Sequence, residues 1–312
     1  MPQNPCQASP NNVSTRFFGN PHLLLSLTML FWAGNTIAGR GIRDDVPPLA
    51  LAWLRWTIAA LIVLPVAWPY LKRDRAVIFA HWPILTLLGS IGAGTFVSLY
   101  YVGLTTTPAI NAMIINSAAP ILIPFASYIL HRDRPSSVQA AGVVVSLLGV
   151  LIVLTRGDYA FLLSLNVNQG DLWVLTAVAM WAVYTALLRK QPPIHWLSFA
   201  AVTFVVASIV NFPLFVGEAF YRSINPTPMA IFAILYVSTL PSVIAQIFFN
   251  RSVELIGANR AGAFMHFIPL FGAALAIILL GEELHPFHLV GFALILTGVT
   301  LASRPHNVAA DA

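Results

Sequence analysis

An internal duplication constrains the fold of this chain more than any other feature. Residues 100–154 align with residues 249–303 at a constant shift of 149 positions. The aligned pairs include Ala109 with Ala258, Pro120 with Pro269, Gly142 with Gly291 and Gly149 with Gly298. The same shift places Trp32 on Trp181, so the duplication covers both halves of the chain. A period of half the chain indicates duplication of one unit rather than a solenoid.

The composition indicates that the duplicated unit lies in a bilayer. Hydrophobic residues make up 58% and charged residues 9% of the 312 residues, whereas an average soluble chain has about 25% charged residues. A helix needs about 20 mostly apolar residues to span the hydrocarbon. We therefore predict an all-α integral membrane protein with ten transmembrane helices, at residues 21–39, 49–70, 82–103, 107–130, 137–155, 171–189, 195–217, 228–250, 260–280 and 285–303.

The predicted spans divide the chain into two five-helix repeats and three short segments. Residues 1–20 are polar and lack the basic-then-apolar order of a cleavable signal. The single cysteine, Cys6, lies there and excludes an internal disulfide and a cysteine metal cluster. The expected order is a disordered cytoplasmic tail at 1–20, a first repeat at 21–155, a linker at 156–170, a second repeat at 171–303 and a cytoplasmic tail at 304–312.

The positive charges predict the orientation of the two repeats. With both termini in the cytoplasm, the inner loops hold eleven Lys and Arg residues and the outer loops four, as the positive-inside rule requires. Five helices are an odd number, so the second repeat crosses the membrane in the opposite sense to the first. The aligned hinges agree, since residues 132–134 (RDR) are basic and residues 281–283 (GEE) are acidic. Inverted repeats with a binding site at their midplane interface are a transporter architecture.

Three stretches carry a resemblance to one family. The first span, FWAGNTIAGR at 31–40, resembles the opening motif of the drug/metabolite transporter superfamily in its EamA branch. LRWTIAAL at 54–61 is similar to the family's second-helix arginine motif, and LGEELHPFHLVGFALILTGVTLA at 280–302 to its hinge and final helix. The resemblance covers residues 20–303, and the most similar member in length and layout is an aromatic amino-acid exporter. It implies ten helices, a central cavity and export of small metabolites from the bacterial inner (plasma) membrane.

Paired helix breaks are predicted in the two repeats. Pro120 aligns with Pro269, and Gly92 aligns with Pro241. A proline inside a helix removes one hydrogen bond and clashes with the preceding turn. Matched breaks in two repeats point to a transport site, so we expect these four residues to act as hinges. The alternative is a set of ordinary packing kinks.

Polar and aromatic residues inside the spans predict a cavity between the repeats. A polar group facing lipid would be costly, so such groups should face the interior. For each residue alone, an interhelical hydrogen bond worth about 0.6 kcal/mol is an equal alternative. The predicted substrate-binding set is Trp32, Asn35, Tyr100, Tyr101, Asn116, Ser117, Trp181, Tyr184, Gln246, Asn250, Met265 and His266.

Other polar or small residues have structural interpretations. Arg55 is interpreted as reaching the outer interface, with a substrate carboxylate in the cavity as the alternative. The glycines at 142, 149, 291 and 298 are typical of close helix packing. Glu282, Glu283, His285 and His288 are interpreted as a charged loop and helix start rather than a metal site, and no cofactor is expected.

The predicted substrate is a small neutral or zwitterionic molecule. Mid-span carboxylates are absent from the sequence, which disfavours organic cations, and one edge arginine is too little for phosphorylated solutes. Aromatic faces suit an apolar amino acid and its ammonium group, and another small metabolite or drug is the alternative. No HExxH or GxSxG motif is present, so we predict no enzyme. The net charge is too small and too scattered to predict nucleic-acid binding, and a monomer is compatible with the sequence. For energy coupling, facilitated diffusion or exchange is favoured over proton antiport through His266.

Overall fold

The computed structural model describes residues 17–107, 109–158, 160, 168–280 and 283–304, and all secondary structure in these ranges is helical. Cys6, Glu282 and most of both predicted tails and of the predicted linker lie outside the described residues. The first half contains α1 Pro21–Gly41, α2 Pro48–Ala80, α3 Trp82–Thr106, α4 Ala109–Asn116, α5 Ala119–His131 and α6 Ser137–Leu154. The second half contains α7 Gln169–Leu187, α8 Trp196–Ala219, α9 Pro228–Ile256, α10 Ala258–Ala263, α11 Phe267–Leu280 and α12 Pro286–Ala302.

By length and composition, seven helices of the described chain can cross a membrane, and α12 is a shorter apolar helix. The seven segments are Pro48–Ala80, Trp82–Thr106, Asn111–His131, Ser137–Leu154, Gln169–Lys190, Trp196–Ala219 and Pro228–Ile256. Large apolar side chains on their outer faces are exposed, for example Leu61, Phe125 and Ile209. In water such a surface would be unfavourable, whereas hydrocarbon is its natural solvent. The chain is therefore a multi-pass membrane protein.

The second helix extends beyond its predicted end. The sequence predicts a span at 49–70 and a loop at 71–81, but α2 continues unbroken to Ala80. Lys and Arg are good helix formers, and Asp74 fixes this end of α2 by accepting hydrogen bonds from the His195 backbone N–H and the Ser198 hydroxyl, both at 2.8 Å. Glu218 at the end of α8 accepts in turn from the backbone N–H groups of Leu49 and Ala50 at 2.9 Å. The two helices thus cap each other's first turns.

The helix breaks occur at equivalent places in the two halves. The π-helical turns Gly89–Thr95 in α3 and Leu240–Ile244 in α9 contain Gly92 and Pro241. Pro241 lacks an N–H, and the nearby Val237 carbonyl accepts a hydrogen bond from the Ser242 hydroxyl at 2.6 Å. Side-chain hydroxyls commonly satisfy the backbone at such breaks in membrane helices.

The second pair of breaks lies near the aligned prolines. A turn at Ser117 and Ala118 separates α4 from α5, with Pro120 in the first turn of α5. In the second half, the 3₁₀ turn Phe264–His266 separates α10 from α11, and Pro269 follows it. The four predicted hinge residues therefore all lie at irregular backbone or directly beside it.

Glycines bring α6 and α12 into close antiparallel contact. A Cβ atom on Gly142 would lie 2.6 Å from the Gly298 carbonyl oxygen, and one on Gly149 would lie 2.7 Å from that of Gly291. Position 142 therefore meets 298 while position 149 meets 291, so the two helices run in opposite directions. Small residues allow this backbone contact, as the sequence predicts.

Two residues contact their own repeat counterparts. The Trp32 and Trp181 rings meet edge to face with centroids 5.1 Å apart. His266 Nε2 lies 3.0 Å from the carbonyl oxygen of Ser117, its partner at the 149-residue shift. These two contacts bring equivalent positions of the two halves together.

Candidate functional site

A cavity of about 60 Å³ lies between the two halves of the chain. A cavity of this volume is large enough to hold water. Helices α1 to α4, α7, α9 and α11 contribute to its wall, together with the 3₁₀ turn before α11. Its lining consists of Trp32, Asn35, Thr36, Arg55, Trp56, Gly92, Phe96, Val97, Tyr100, Tyr101, Asn116, Trp181, Gln246, Met265 and Ile268.

Aromatic rings form one wall of this central cavity. Trp181 contacts Trp32, Phe96 and Phe249 with centroid distances of 5.1, 4.9 and 5.1 Å. The ring of Trp32 is held from the other half of the chain, because its indole N–H donates to the Pro241 carbonyl at 3.2 Å. That carbonyl lies in the π-helical turn of α9, so the break in α9 positions a cavity residue of α1.

Arg55 lies in the cavity wall, and this residue is only 4% exposed. This burial corrects the expectation that Arg55 reaches the outer interface. Its Nε donates to the Ser242 hydroxyl at 2.8 Å, and its Nη1 donates to Asn35 at 3.2 Å and to the Tyr101 hydroxyl at 2.8 Å. The four ion pairs among the described residues do not include Arg55. The cavity thus contains a buried cation without a protein carboxylate beside it in the described chain.

Three buried polar atoms of the lining lack a hydrogen-bond partner within the described residues. They are the indole nitrogens of Trp56 and Trp181 and the amide oxygen of Asn116. An indole N–H is only a donor and an amide oxygen only an acceptor. Because unpartnered buried polar groups are costly, these atoms are suited to a bound solute or water that offers both acceptors and donors.

Two hydrogen-bonded Tyr–Asn pairs flank the cavity and correspond to each other across the repeat. Tyr101 donates to the amide oxygen of Asn35 at 3.0 Å, and Tyr184 donates to that of Asn250 at 2.8 Å. The 149-residue shift converts position 35 to 184 and position 101 to 250. The same bond is therefore built twice, with tyrosine and asparagine exchanged.

Each Tyr–Asn pair has one member in the lining of a second space. Asn250 lines a vestibule of about 680 Å³ whose wall also includes Arg189, Arg251 and Glu254. On the other side, Tyr101 also lines a cavity of about 20 Å³ that reaches Arg43 and Thr105. Those two residues border a further space of about 580 Å³. Both pairs are hydrogen-bonded in this structure.

Eight of the twelve predicted substrate-binding residues line the central cavity, and the predicted hinge residue Gly92 does so too. The eight are Trp32, Asn35, Tyr100, Tyr101, Asn116, Trp181, Gln246 and Met265. Tyr184 and Asn250 lie next to it instead, where the side-chain amide of Gln246 donates to the Tyr184 hydroxyl at 2.9 Å.

Ser117 and His266 differ from the predicted cavity lining. The structure buries both side chains in the packing between helices. Ser117 donates its hydroxyl to the Met113 carbonyl at 2.8 Å within its own helix turn. His266 is 0% exposed, and its Nδ1 lies 2.6 Å from the Ser146 hydroxyl of α6 while Nε2 faces the Ser117 carbonyl. A carbonyl only accepts, so Nε2 carries the hydrogen, and a neutral ring then accepts at Nδ1.

The predicted set missed several lining residues. Trp56, Thr36, Phe96, Val97 and Ile268 line the cavity but were not predicted. Trp56 directly follows the motif arginine in the sequence, and this adjacency was the available signal for a cavity residue. In the structure its ring centroid lies 5.1 Å from the Arg55 guanidinium carbon. The three apolar residues carry no such signal, because apolar residues are common on every face of a membrane helix.

Among the described residues, no group of three or more His, Cys, Asp or Glu residues is arranged to hold an ion. The side chain of His288 accepts a hydrogen bond from the His285 backbone at the start of α12, as expected of a helix start.

A multi-pass helical chain with two related halves and a central cavity has the architecture of a membrane transporter. The model of the EamA-like transporter family matches residues 20–155 and again residues 168–304. The chain therefore belongs to the EamA family of the drug/metabolite transporter superfamily, whose members are transporters and not enzymes.

Individual relatives are similar over nearly their full length. An uncharacterized transporter of Archaeoglobus fulgidus is 27% identical over 92% of this chain and 98% of its own. A probable terminal-alkyne amino-acid exporter of Streptantibioticus cattleyicolor is 24% identical over 90% and 92%. One crystal structure superposes with a TM-score of 0.72 at 20% identity, over 91% of this chain and 96% of that one, which supports the fold.

Proposed function

We propose that this transporter exports small neutral or zwitterionic metabolites, above all aromatic and other apolar amino acids, by alternating access through the central cavity. The observation that carries the proposal is the composition of the cavity wall. Both halves contribute aromatic faces, and three unpartnered polar atoms supply two donors and one acceptor. An amino acid offers the complementary set, namely a carboxylate that accepts, an ammonium that donates and an apolar side chain.

The substrate class has one further support. A relative at 24% identity is described as a probable terminal-alkyne amino-acid exporter. Aromatic rings such as those of Trp32 and Trp181 attract an ammonium group through their faces and cover an apolar side chain. An exporter of another small metabolite or drug is the alternative.

The proposed arrangement places ten crossings in a bacterial inner membrane with both termini in the cytoplasm. The antiparallel contact of α6 with α12 and the contacts between repeat counterparts support an inverted relation of the two halves. In this orientation the vestibule at Asn250 faces the cytoplasm, because it is lined by the basic loops that the positive-inside rule assigns there.

Alternating access then uses the two Tyr–Asn pairs as latches. Opening the Tyr184–Asn250 pair connects the central cavity with the cytoplasmic vestibule, and opening the Tyr101–Asn35 pair connects it with the opposite side. The irregular turns around Gly92, Pro120, Pro241 and Pro269 let the helices that carry or border these residues bend. Because the cavity holds only about 60 Å³ here, loading a solute of amino-acid size requires such a movement.

Uptake by proteoliposomes tests the function. Vesicles containing the purified protein should accumulate radiolabelled phenylalanine, tryptophan or leucine to equilibrium faster than empty vesicles. Trp181→Ala should slow this uptake by about tenfold, the effect of removing an aromatic anchor worth about 1.4 kcal/mol. Trp173→Ala is the matched control, because Trp173 lies on the same helix and is 39% exposed.

The same vesicles address energy coupling. We propose facilitated diffusion or exchange, since both nitrogens of His266 are engaged in helix packing. An imposed pH gradient with equal substrate on both sides and clamped potential should then drive no net accumulation. Uptake confined to solutes other than amino acids would refute the amino-acid proposal, and gradient-driven accumulation abolished by His266→Gln would refute the coupling.

A further inference from the structure

We infer that Arg55 is the specificity-determining residue of the cavity and binds a carboxylate of the transported solute. The inference rests on the proposed function and narrows its substrate class. It replaces the view of Arg55 as a helix-edge residue and requires that every good substrate carry a carboxylate, whereas an ammonium group is optional.

The charge balance of the cavity favours a bound anion. A buried guanidinium is normally matched by a carboxylate, because an isolated buried charge is costly. Arg55 is 4% exposed and forms none of the ion pairs in the described chain. Its position, seven residues after Pro48, is about 10 Å along the helix from its first residue. A solute anion in the cavity would supply the missing charge.

The geometry of the guanidinium also favours a bound anion. The bonds to Ser242, Asn35 and Tyr101 use Nε and Nη1. They leave the two hydrogens of Nη2 without a hydrogen-bond partner among the described residues, in a side chain that lines the cavity. The protein thus holds the guanidinium in one orientation and leaves one arm free. A guanidinium that only cross-linked helices would have no need for a free donor inside a cavity.

Neighbouring hydrogen-bond donors add to the anion site. Trp56 packs beside the guanidinium. The indole N–H groups of Trp56 and Trp181 are both unpartnered within the described residues. A carboxylate has about four acceptor positions, so it can accept from Nη2 and from indole N–H groups together. Charge-assisted bonds of this kind are about twice as strong as neutral ones.

Occupation of this site would also act on a latch. Arg55 donates to both members of the Asn35–Tyr101 pair. A carboxylate bound to the guanidinium competes with these neutral acceptors, and it would weaken the hold of Arg55 on the pair that closes the side opposite to the vestibule. Recognition of the carboxylate and opening of that side therefore share one residue.

A binding experiment on the purified full-length protein tests the inference. The probes are phenylalanine, phenylalanine amide, 3-phenylpropionate and phenethylamine, which differ in whether the carboxylate or the ammonium is present. Thermal unfolding midpoints in detergent should rise with phenylalanine and with 3-phenylpropionate. Phenylalanine amide and phenethylamine should bind at least about tenfold more weakly than the two carboxylates, since each lacks the anion.

Variants connect the effect to Arg55. Arg55→Gln should abolish the preference for carboxylates, and Trp56→Phe, which keeps a ring but removes the N–H, should reduce it about threefold, within the range of one hydrogen bond. Arg73→Gln is the control, since it removes an exposed charge outside the cavity. If Arg55→Gln does not fold, the carboxylate preference of Trp56→Phe alone tests the inference.

The outcomes separate this inference from the proposed function. Equal stabilisation by the amine and the carboxylates, no stabilisation of the wild type by any carboxylate, or an unchanged preference in the variants would overturn the role of Arg55. Carboxylate-selective binding in a protein that transports no amino acid would instead contradict the proposed function and leave the anion site intact.

Discussion

At the scale of single residues, His195 makes a testable contribution to stability outside the spans. Its Nδ1 accepts from the Leu197 backbone N–H at 3.2 Å, and its ring stacks on Tyr70 with centroids 3.8 Å apart. Burial and the charge of Arg73 lower the pKa of His195 below its ordinary value of 6.5, although Asp74 opposes this. Protonation would also convert the Nδ1 acceptor into a donor and break the cap of α8.

The direction of the pH dependence follows from the lowered pKa of His195. The unfolded chain binds the proton first as the pH falls below about 6.5, so the stabilising contribution is present above that pH and is lost below it. His195→Asn keeps a capping side chain and should flatten the fall in unfolding temperature between about pH 7 and pH 5. His81→Asn, at an exposed position, should leave the slope unchanged, and an equal flattening there would count against His195.

The residues also show where sequence reasoning succeeds. Membrane energetics predicts that polar residues in the spans point inward, and Asn35, Asn116 and Gln246 do line the cavity. The same rule does not distinguish a cavity from a helix interface. His266 therefore met every criterion for a cavity residue, although it packs against Ser146 and the Ser117 carbonyl. Only the relative placement of three helices decides between the two cases.

At the scale of helices, the glycine contact of α6 with α12 gives a second prediction. Gly149→Ala would place a methyl group 2.7 Å from the Gly291 carbonyl oxygen and 2.8 Å from the Ile295 nitrogen. The backbones must separate, and overpacking of this kind costs about 1–3 kcal/mol. Gly272→Ala in α11 has no atom within 4 Å of the new methyl group, so it should be neutral or stabilising by up to about 1 kcal/mol.

Thermal unfolding in one detergent compares these two glycine variants directly. A lower midpoint for Gly149→Ala and an unchanged or higher midpoint for Gly272→Ala are expected. If both substitutions behave alike, helix propensity rather than backbone contact dominates at position 149. Gly142→Ala should resemble Gly149→Ala, because it meets the Gly298 carbonyl and the Ala302 nitrogen at 2.6 and 2.5 Å.

Helix breaks were more predictable than helix ends. Pro and Gly disturb hydrogen bonding in a way that depends on the residue itself, so the irregular turns at Gly92 and Pro241 follow from local chemistry. The end of α2 depends instead on Asp74 reaching the first turn of α8. That contact joins residues more than a hundred positions apart, and no local pattern around residues 71–81 indicates it.

At the scale of the whole molecule, the duplication predicted the correspondence of the halves but not its functional detail. Alignment at the 149-residue shift pairs Asn35 with Tyr184 and Tyr101 with Asn250, which looks like two unrelated substitutions. The structure joins them into two equivalent hydrogen bonds. A symmetric mechanism requires the same hydrogen bond in both halves. It does not require the same residue at each aligned position.

The two latches predict opposite changes in access to the cavity. Tyr184→Phe removes the hydroxyl bonded to Asn250 and Gln246, and Tyr101→Phe removes the one bonded to Asn35 and Arg55. Each hydrogen bond is worth about 1 kcal/mol, so each variant should favour opening on its own side about fivefold. The reporter is Met265→Cys in the cavity wall, in a chain whose single cysteine, Cys6, is replaced by serine.

A membrane-impermeant thiol reagent reads this access from either side of the membrane. In inside-out vesicles, where the proposed cytoplasmic face is exposed, Tyr184→Phe should speed labelling of the reporter and Tyr101→Phe should slow it. Right-side-out vesicles should give the reverse order, because opening one side closes the other. Tyr236→Phe is the matched control, since its hydroxyl donates to the Phe31 carbonyl and joins neither latch. Faster labelling from the same side in both tyrosine variants would exclude paired latches, because a two-fold related mechanism requires their effects to be opposite.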